Sequence, residues 1–226
     1  LLDGRMRHED SAGNNGELNP GDVQWMTAGR GIIHCEEPHE DFLRTGGRMH
    51  GFQIWVNLPK AHKMMQPRYQ EVPSSESPLV EQDGVWARVI AGECMGTSSS
   101  IDTKIPITLI HVKMEAGSQL LQQFEPGLNG MIYVFGGEVV IDNGLRMKTQ
   151  PISHGLGTKQ QIQDGELGIL SEGEEIIIRS TSASEFLILA GPELDEPIER
   201  YGPFVMNTRE EIRQAFLDYQ NGTFVD

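Results

Sequence analysis

Turn-forming residues cut this chain into short segments, and that punctuation constrains its fold more than any other feature. Gly-containing turns recur at Asn14-Asn15-Gly16, Asn19-Pro20-Gly21-Asp22, Gly46-Gly47, Gly136-Gly137, Asp142-Asn143-Gly144, Asp164-Gly165 and Glu172-Gly173. Between them lie β-rich runs at 51–58, 85–91, 108–114, 130–135, 175–179 and 185–190. Short runs bounded by Gly, Pro, Asn and Asp predict an all-β architecture rather than alternating strand–helix units. The run Glu185-Phe186-Leu187-Ile188-Leu189-Ala190 is nearly continuous apolar sequence, which predicts a strand packed on both faces.

A weak internal repeat points to two β-barrels side by side. Leu1-Leu2-Asp3-Gly4-Arg5-Met6 matches Val134-Phe135-Gly136-Gly137-Glu138-Val139 as strand, Gly turn and strand, and Gly21-Asp22 matches Gly173-Glu174 as a turn before a strand. The expected organisation is a first domain over 1–66, a linker over 67–84 containing Pro73-Ser74-Ser75-Glu76-Ser77-Pro78, and a second domain over 85–226. One helix is predicted at about 208–220. Thr208-Arg209-Glu210-Glu211 is a capping box, and Ile212, Phe216 and Tyr219 or Gln220 follow at helical spacing, giving one apolar face to lay against a barrel.

Composition narrows the functional classes. A net charge of −15 argues against direct nucleic-acid binding, which recruits Lys and Arg to the phosphates. The two cysteines, Cys35 and Cys94, make no disulfide framework. No apolar run has the length of a membrane helix, so a soluble protein of the cytoplasm, or of the nucleus in a eukaryote, is expected.

The chemistry concentrates in Gly21-Asp22-Val23-Gln24-Trp25-Met26-Thr27-Ala28-Gly29-Arg30-Gly31-Ile32-Ile33-His34-Cys35-Glu36. On a strand, positions i and i+2 share a face, so His34 and Glu36 can reach one point while Cys35 leaves on the other side. The pair fits a metal site, an acid/base pair or a solvated strand face. Imidazole and carboxylate donors suit divalent iron, copper, nickel, manganese or zinc, and the donor list alone does not choose among them.

Read together with Met49-His50-Gly51-Phe52-Gln53-Ile54-Trp55-Val56-Asn57-Leu58-Pro59 and Tyr201-Gly202-Pro203-Phe204-Val205-Met206-Asn207-Thr208, this segment resembles the pirin family, a two-domain branch of the cupins. The resemblance runs from Leu1 to about Phe216. It implies a bicupin of two jelly-roll-like barrels, with one metal, usually Fe(2+), held in the N-terminal barrel by three His and one Glu. His34 and Glu36 fall on the last two of those ligands. The first two belong to a His-x-His motif that precedes a closing glycine, which is Gly4 here. That motif is expected upstream of Leu1, so the chain is read as N-terminally truncated and metal-poor as it stands. His8 lies beyond the glycine and is not assigned as a replacement.

Around this pair, His50 either lines the cavity or is a hydrogen-bonded structural residue, and Trp25, Met26 and Phe52 either wall the pocket or pack the core. Cys35 reads as a small buried residue, and Glu36 to Asp41 as an exposed polar loop carrying Glu37 and His39. In the second barrel the matching stretch is Leu121-Gln122-Gln123-Phe124-Glu125-Pro126, without His-x-His, while His111 and His154 stand alone as structural residues. No metal is expected there. The resemblance implies two competing functions. One is quercetin 2,3-dioxygenase chemistry on a flavonol-like small molecule and dioxygen, with Glu36 as ligand, base or both. The other is a redox-gated iron protein that binds a transcription factor or metabolic enzyme.

Overall fold

The computed structural model describes residues 1–142 and 161–225, so the expected turn at Asn143-Gly144 and the isolated His154 lie outside the described residues. By contact the chain forms two compact units, Leu1–Glu76 together with Leu194–Asp226, and Ser77–Glu193.

The first unit contains β1 (Met6–Asp10), β2 (Asn15–Leu18), β3 (Val23–Thr27), β4 (His34–Pro38), α1 (Glu40–Thr45), α2 (Lys60–Lys63) and β5 (Arg68–Val72). β1 pairs antiparallel with β2 on one side and β4 on the other, and β3 pairs antiparallel with β5. Asp22 ties the start of β3 to the segment after β5 at one end of their ribbon: its carboxylate accepts from the Asn19 backbone N–H at 2.7 Å and from that of Ser74 at 2.7 Å. Gly4 turns into β1 at φ +93°, with Met49 so close that a Cβ would sit 2.7 Å from its sulfur.

The second unit contains β6 (Leu79–Gln82), β7 (Val85–Ala91), β8 (Glu93–Cys94), β9 (Thr97–Ser98), β10 (Thr108–Met114), β11 (Gln119–Gln123), β12 (Leu128–Gly136), β13 (Glu138–Asp142), β14 (Gln161–Gln163), β15 (Leu167–Ile169), β16 (Glu175–Ser180) and β17 (Ser184–Pro192). A six-stranded sheet of order β15-β12-β17-β10-β7-β6 and a four-stranded sheet of order β11-β16-β13-β14 enclose its core. Val85, Ile110, Ile132 and Phe186 come from the first sheet and Leu120, Val139 and Ile178 from the second. The strict alternation of buried and half-buried residues along β7 is the period-two signature of a sheet with one core face. On β17, Phe186, Leu187 and Ile188 are all buried, so this strand does pack on both faces. Gly137 turns β12 into β13 at φ +70°, where a Cβ would lie 2.2 Å from the Ala183 carbonyl oxygen.

After the second unit come β18 (Glu199–Tyr201), β19 (Phe204–Met206) and α3 (Arg209–Asn221). The capping box forms as read: Thr208 Oγ1 accepts from the Glu211 N–H, and Glu211 Oε2 accepts from the Thr208 N–H at 2.8 Å. Gly222, in the left-handed region, ends the helix. Ile212 is buried, and Phe216 meets Tyr201 and Phe204 edge-on. By contact this tail groups with the first unit. Glu196 accepts from the Lys60 N–H at 2.7 Å, and Arg200 lies over the Trp55 ring at 4.8 Å.

The structure departs from the sequence reading in four further places. Residues 51–58 form no strand: one bridge, Asp3 to His50, adjoins them, and Phe52, Ile54, Trp55 and Val56 are exposed. A β pattern becomes a strand only with a ladder partner, and this run has none among the described residues. The 67–84 segment carries β5 and β6 on either side of the Glu76–Ser77 division between units. The polar stretch 36–41 is the end of β4 and the start of α1, because His39 Nδ1 caps that helix by accepting from the Asp41 N–H. Cys35 is exposed, not buried.

Candidate metal centre

β4 does what the alternation requires. His34 and Glu36 share a face, with His34 Nδ1 and Glu36 Oε1 3.8 Å apart, while Cys35 turns the other way and donates to Glu37 Oε1 at 3.3 Å. The antiparallel register with β1 sets His8 opposite Glu36 and Asp10 opposite His34. Directly paired residues project to the same side, so one face of the β1–β4 ladder carries two imidazoles and two carboxylates. One ligand atom each from His8, His34 and Glu36 lies within 4.8 Å of the other two. The His8 and His34 rings are 5.7 Å apart between centroids.

The surroundings hold these groups in place. His8 is completely buried and stacks on Tyr69 at 5.1 Å, and Gln24 donates to the Tyr69 hydroxyl at 2.9 Å. Gly16, opposite His8 on β2, leaves space that a Cβ would take from the Glu71 carboxylate and the Tyr69 hydroxyl. Asp10 has a fully buried side chain that accepts from the Ala12 N–H and from the Asn14 N–H and side chain, and its Oδ2 lies 3.5 Å from His8 Nε2. Burial opposes its charge, but these donors outweigh burial and hold the carboxyl below the usual range. Among the described residues His8 Nδ1, which is buried, has no hydrogen-bond partner. On the open side, Gln53 donates to Glu36 Oε2 at 3.3 Å and Trp55 Nε1 donates to Gln53 Oε1 at 3.4 Å. The His34 and Glu36 side chains keep 32% and 29% of their exposure, enough for a small molecule to reach them.

The remaining predicted residues are not all at this point. Met26 pairs with Tyr69 and so shares its face, whereas Trp25 projects from the other face of the ribbon. His50 accepts from Arg48 at 2.9 Å and contacts the Phe52 ring, and on this segment Gln53 donates to Glu36. In the second unit His111 shares a 2.7 Å hydrogen bond with Glu185 against the Trp86 ring, and burial lowers its pKa, as fits a structural histidine.

The family model described as pirin matches residues 1–56, and that described as the pirin C-terminal cupin domain matches residues 109–225. Human pirin is 39% identical over 223 residues, which span 98% of this chain and 71% of the human protein. This chain belongs to the pirin family. A tomato pirin-like protein is 37% identical over 224 residues, covering 98% of this chain and 71% of its own length. Among solved structures, that of quercetin 2,3-dioxygenase from Acinetobacter baumannii superposes with a TM-score of 0.83 at 33% identity, over 98% of this chain and 73% of that one. The fold is therefore the all-β bicupin of the pirins, with a C-terminal helix. Among the described residues no helix is long and apolar enough to cross a membrane.

Three residues of this pirin's site escape the sequence reading: His8, Asp10 and Gln53. The signal for the first two is present, since His8-x-Asp10 repeats the same-face spacing of His34-x-Glu36. Placing His8 after a turn glycine hid that it sits mid-strand opposite Glu36. Nothing local marks Gln53, whose contact with Glu36 spans seventeen residues.

Proposed function

We propose that this pirin is a metal-dependent dioxygenase that opens the central ring of a flavonol, consuming one dioxygen and releasing carbon monoxide. The observation that carries the reading is the convergence of an imidazole and a carboxylate from alternate positions of β4, partly open to solvent. The likeness to a quercetin 2,3-dioxygenase at 33% identity supports it.

The donors fit a divalent transition metal, with Fe(2+) proposed as the native ion. His34 offers a neutral nitrogen and Glu36 a hard anionic oxygen, and a donor atom of His8 lies within 4.8 Å of one from each of them. When bound, such an ion supplies Lewis-acid polarisation of substrate oxygens and redox chemistry with dioxygen. His34 and Glu36 would hold it. The protein's own work is positional and acid–base. Glu36 serves as ligand and base in turn: its carboxylate oxygen not held by Gln53 accepts the proton of the flavonol 3-hydroxyl, converting the substrate to its reactive enolate. Gln53, backed by Trp55, fixes the carboxylate plane.

Oxygen consumption with quercetin by the iron-reconstituted protein tests this. Uptake matched by carbon monoxide release, and lost in Glu36→Gln, is the expected result; an intact Glu36→Gln rate would remove the carboxylate from the chemistry. One feature favours a second reading, in which the metal's oxidation state gates binding of a transcription factor or metabolic enzyme. The exposed apolar run Phe52 to Val56 is tied to Glu36 through Gln53. Partner binding that differs between ferric and ferrous protein, without turnover, would select it.

A further inference from the structure

We propose that a cleft in the second unit binds a small uncharged hydroxyl compound, a phenol or alcohol with an apolar body, whose O–H donates to Gln122 Oε1. The site is separate from His34 and Glu36 and does not rest on their reading.

Burial alternates along β11, so Leu120 and Gln122 face inward while Gln119, Leu121 and Gln123 face solvent. An amide is an uncommon occupant of an apolar core, yet Gln122 is only 2% exposed. Its Nε2 is fully used, donating to the Glu93 carbonyl at 3.0 Å and to the Gln123 carbonyl at 2.5 Å. Those two bonds fix the amide's orientation, because the reverse would set its oxygen against two carbonyl oxygens. Oε1 is the atom left over: it is buried and, among the described residues, has no hydrogen-bond partner. A buried carbonyl oxygen without a donor is costly, and a bound hydroxyl would remove that cost.

A cleft adjoins this face of β11. Phe124, Leu128, Leu170 and Ile176 supply its apolar lining, and Glu172 and Glu175 border it as exposed carboxylates. Gln122 pairs directly with Ile176, so their side chains project to the same side. Phe124, two residues further on, follows them, held in line by its N–H to the Glu174 carbonyl at 2.7 Å. Counted out to its open mouth the cleft measures about 290 Å³, and its enclosed part admits little more than a water. The ligand is therefore small, seated by outward rotation of the half-buried Phe124 or Leu128.

The lining sets the ligand's chemistry. Aliphatic and aromatic walls take an apolar body, and the buried acceptor takes a donor. Glu172 and Glu175 repel anions, while an ammonium sunk beside a neutral amide would lose its hydration without a counter-charge. A neutral O–H satisfies each condition.

The test uses phenol as the probe and fluorobenzene as its counterpart without a donor. Each is titrated into the 226-residue chain, with its Leu and Ile methyls isotope-labelled, and followed by NMR. Phenol should shift the methyls of Leu128, Leu170 and Ile176 and bind about 3–10-fold more tightly than fluorobenzene, the ratio that one neutral hydrogen bond supports. Gln122→Met should erase that preference and leave fluorobenzene affinity unchanged. Its circular dichroism and thermal midpoint are measured alongside, because the change also frees the Glu93 and Gln123 carbonyls. Equal affinity for the two probes in the wild type would overturn the role of Gln122. Methyls that do not move up to the solubility limit of phenol would mean that the cleft holds water only, which overturns the site itself. If Gln122→Met fails to fold, the wild-type affinity ratio and the position of the shifted methyls decide.

Discussion

Asp22 shows how much a single buried carboxylate does in the first unit. It accepts two backbone N–H bonds, from Asn19 and from Ser74, that no ladder would otherwise satisfy. Burial raises its pKa, but those donors more than compensate and hold it below the usual carboxylate range. Asp22→Ala should cost about 2–3 kcal/mol in chemical denaturation at pH 7, since each orphaned buried donor is expensive. A carboxyl whose folded pKa is depressed stabilises the protein above the unfolded value and loses that contribution as pH falls through the folded one. The gap between wild type and Asp22→Ala should therefore close below about pH 4. Gln53 makes the complementary case at the candidate centre. Gln53→Ala leaves every donor in place but frees Glu36, so metal affinity should fall about tenfold by titration with unchanged thermal stability. His34 and Glu36 were legible because period two needs only neighbouring residues. His8, Asp10 and Gln53 were not, because their place depends on which strand or segment lies beside β4.

Elements follow the same division between local and distant causes. The α3 helix was readable because its capping box and apolar spacing are local. Thr208→Ala should cost about 1 kcal/mol in thermal or chemical unfolding, and Thr208→Asp should restore most of it. Strands β7 and β10 coincide with the predicted runs, because burial on a sheet writes itself into alternation or continuous apolarity. Residues 51–58 carry the same kind of sequence and make no strand, for want of a partner edge. The α1 helix was unreadable because imidazole, rather than Ser, Thr, Asp or Asn, caps it. The two thiols also differ by element. Cys94 is buried in the core of the second unit and pushed up to about 11, whereas Cys35 is exposed on β4 and raised through its hydrogen bond to Glu37. Under native conditions a thiol reagent should modify Cys35 alone, at a rate that climbs as pH rises past 9; Cys94 should react only on unfolding.

For the whole molecule, the two units divide the labour that their sequences suggest. The second unit holds the large apolar core, in which Phe186, Ile110, Ile132 and Ile178 are wholly buried, and Phe186→Ala should destabilise it by about 3–5 kcal/mol in calorimetry. The first unit is held by turns, carboxylate clamps and the C-terminal tail, and it carries the convergent His and Glu residues. The bicupin fold was visible in turn punctuation and in three sequence blocks. The attachment of the tail to the first unit was not, because it depends on contacts such as Lys60 with Glu196 and Trp55 with Arg200, more than a hundred residues apart. The account's central claim is that His34 and Glu36 hold the ion on which activity depends. The most direct measurement is iron content per chain after anaerobic reconstitution with Fe(II) and desalting, for the wild type and for the double variant His34→Ala with Glu36→Gln. One iron in the wild type and none in the double variant is the predicted result; equal iron in the two would contradict the account.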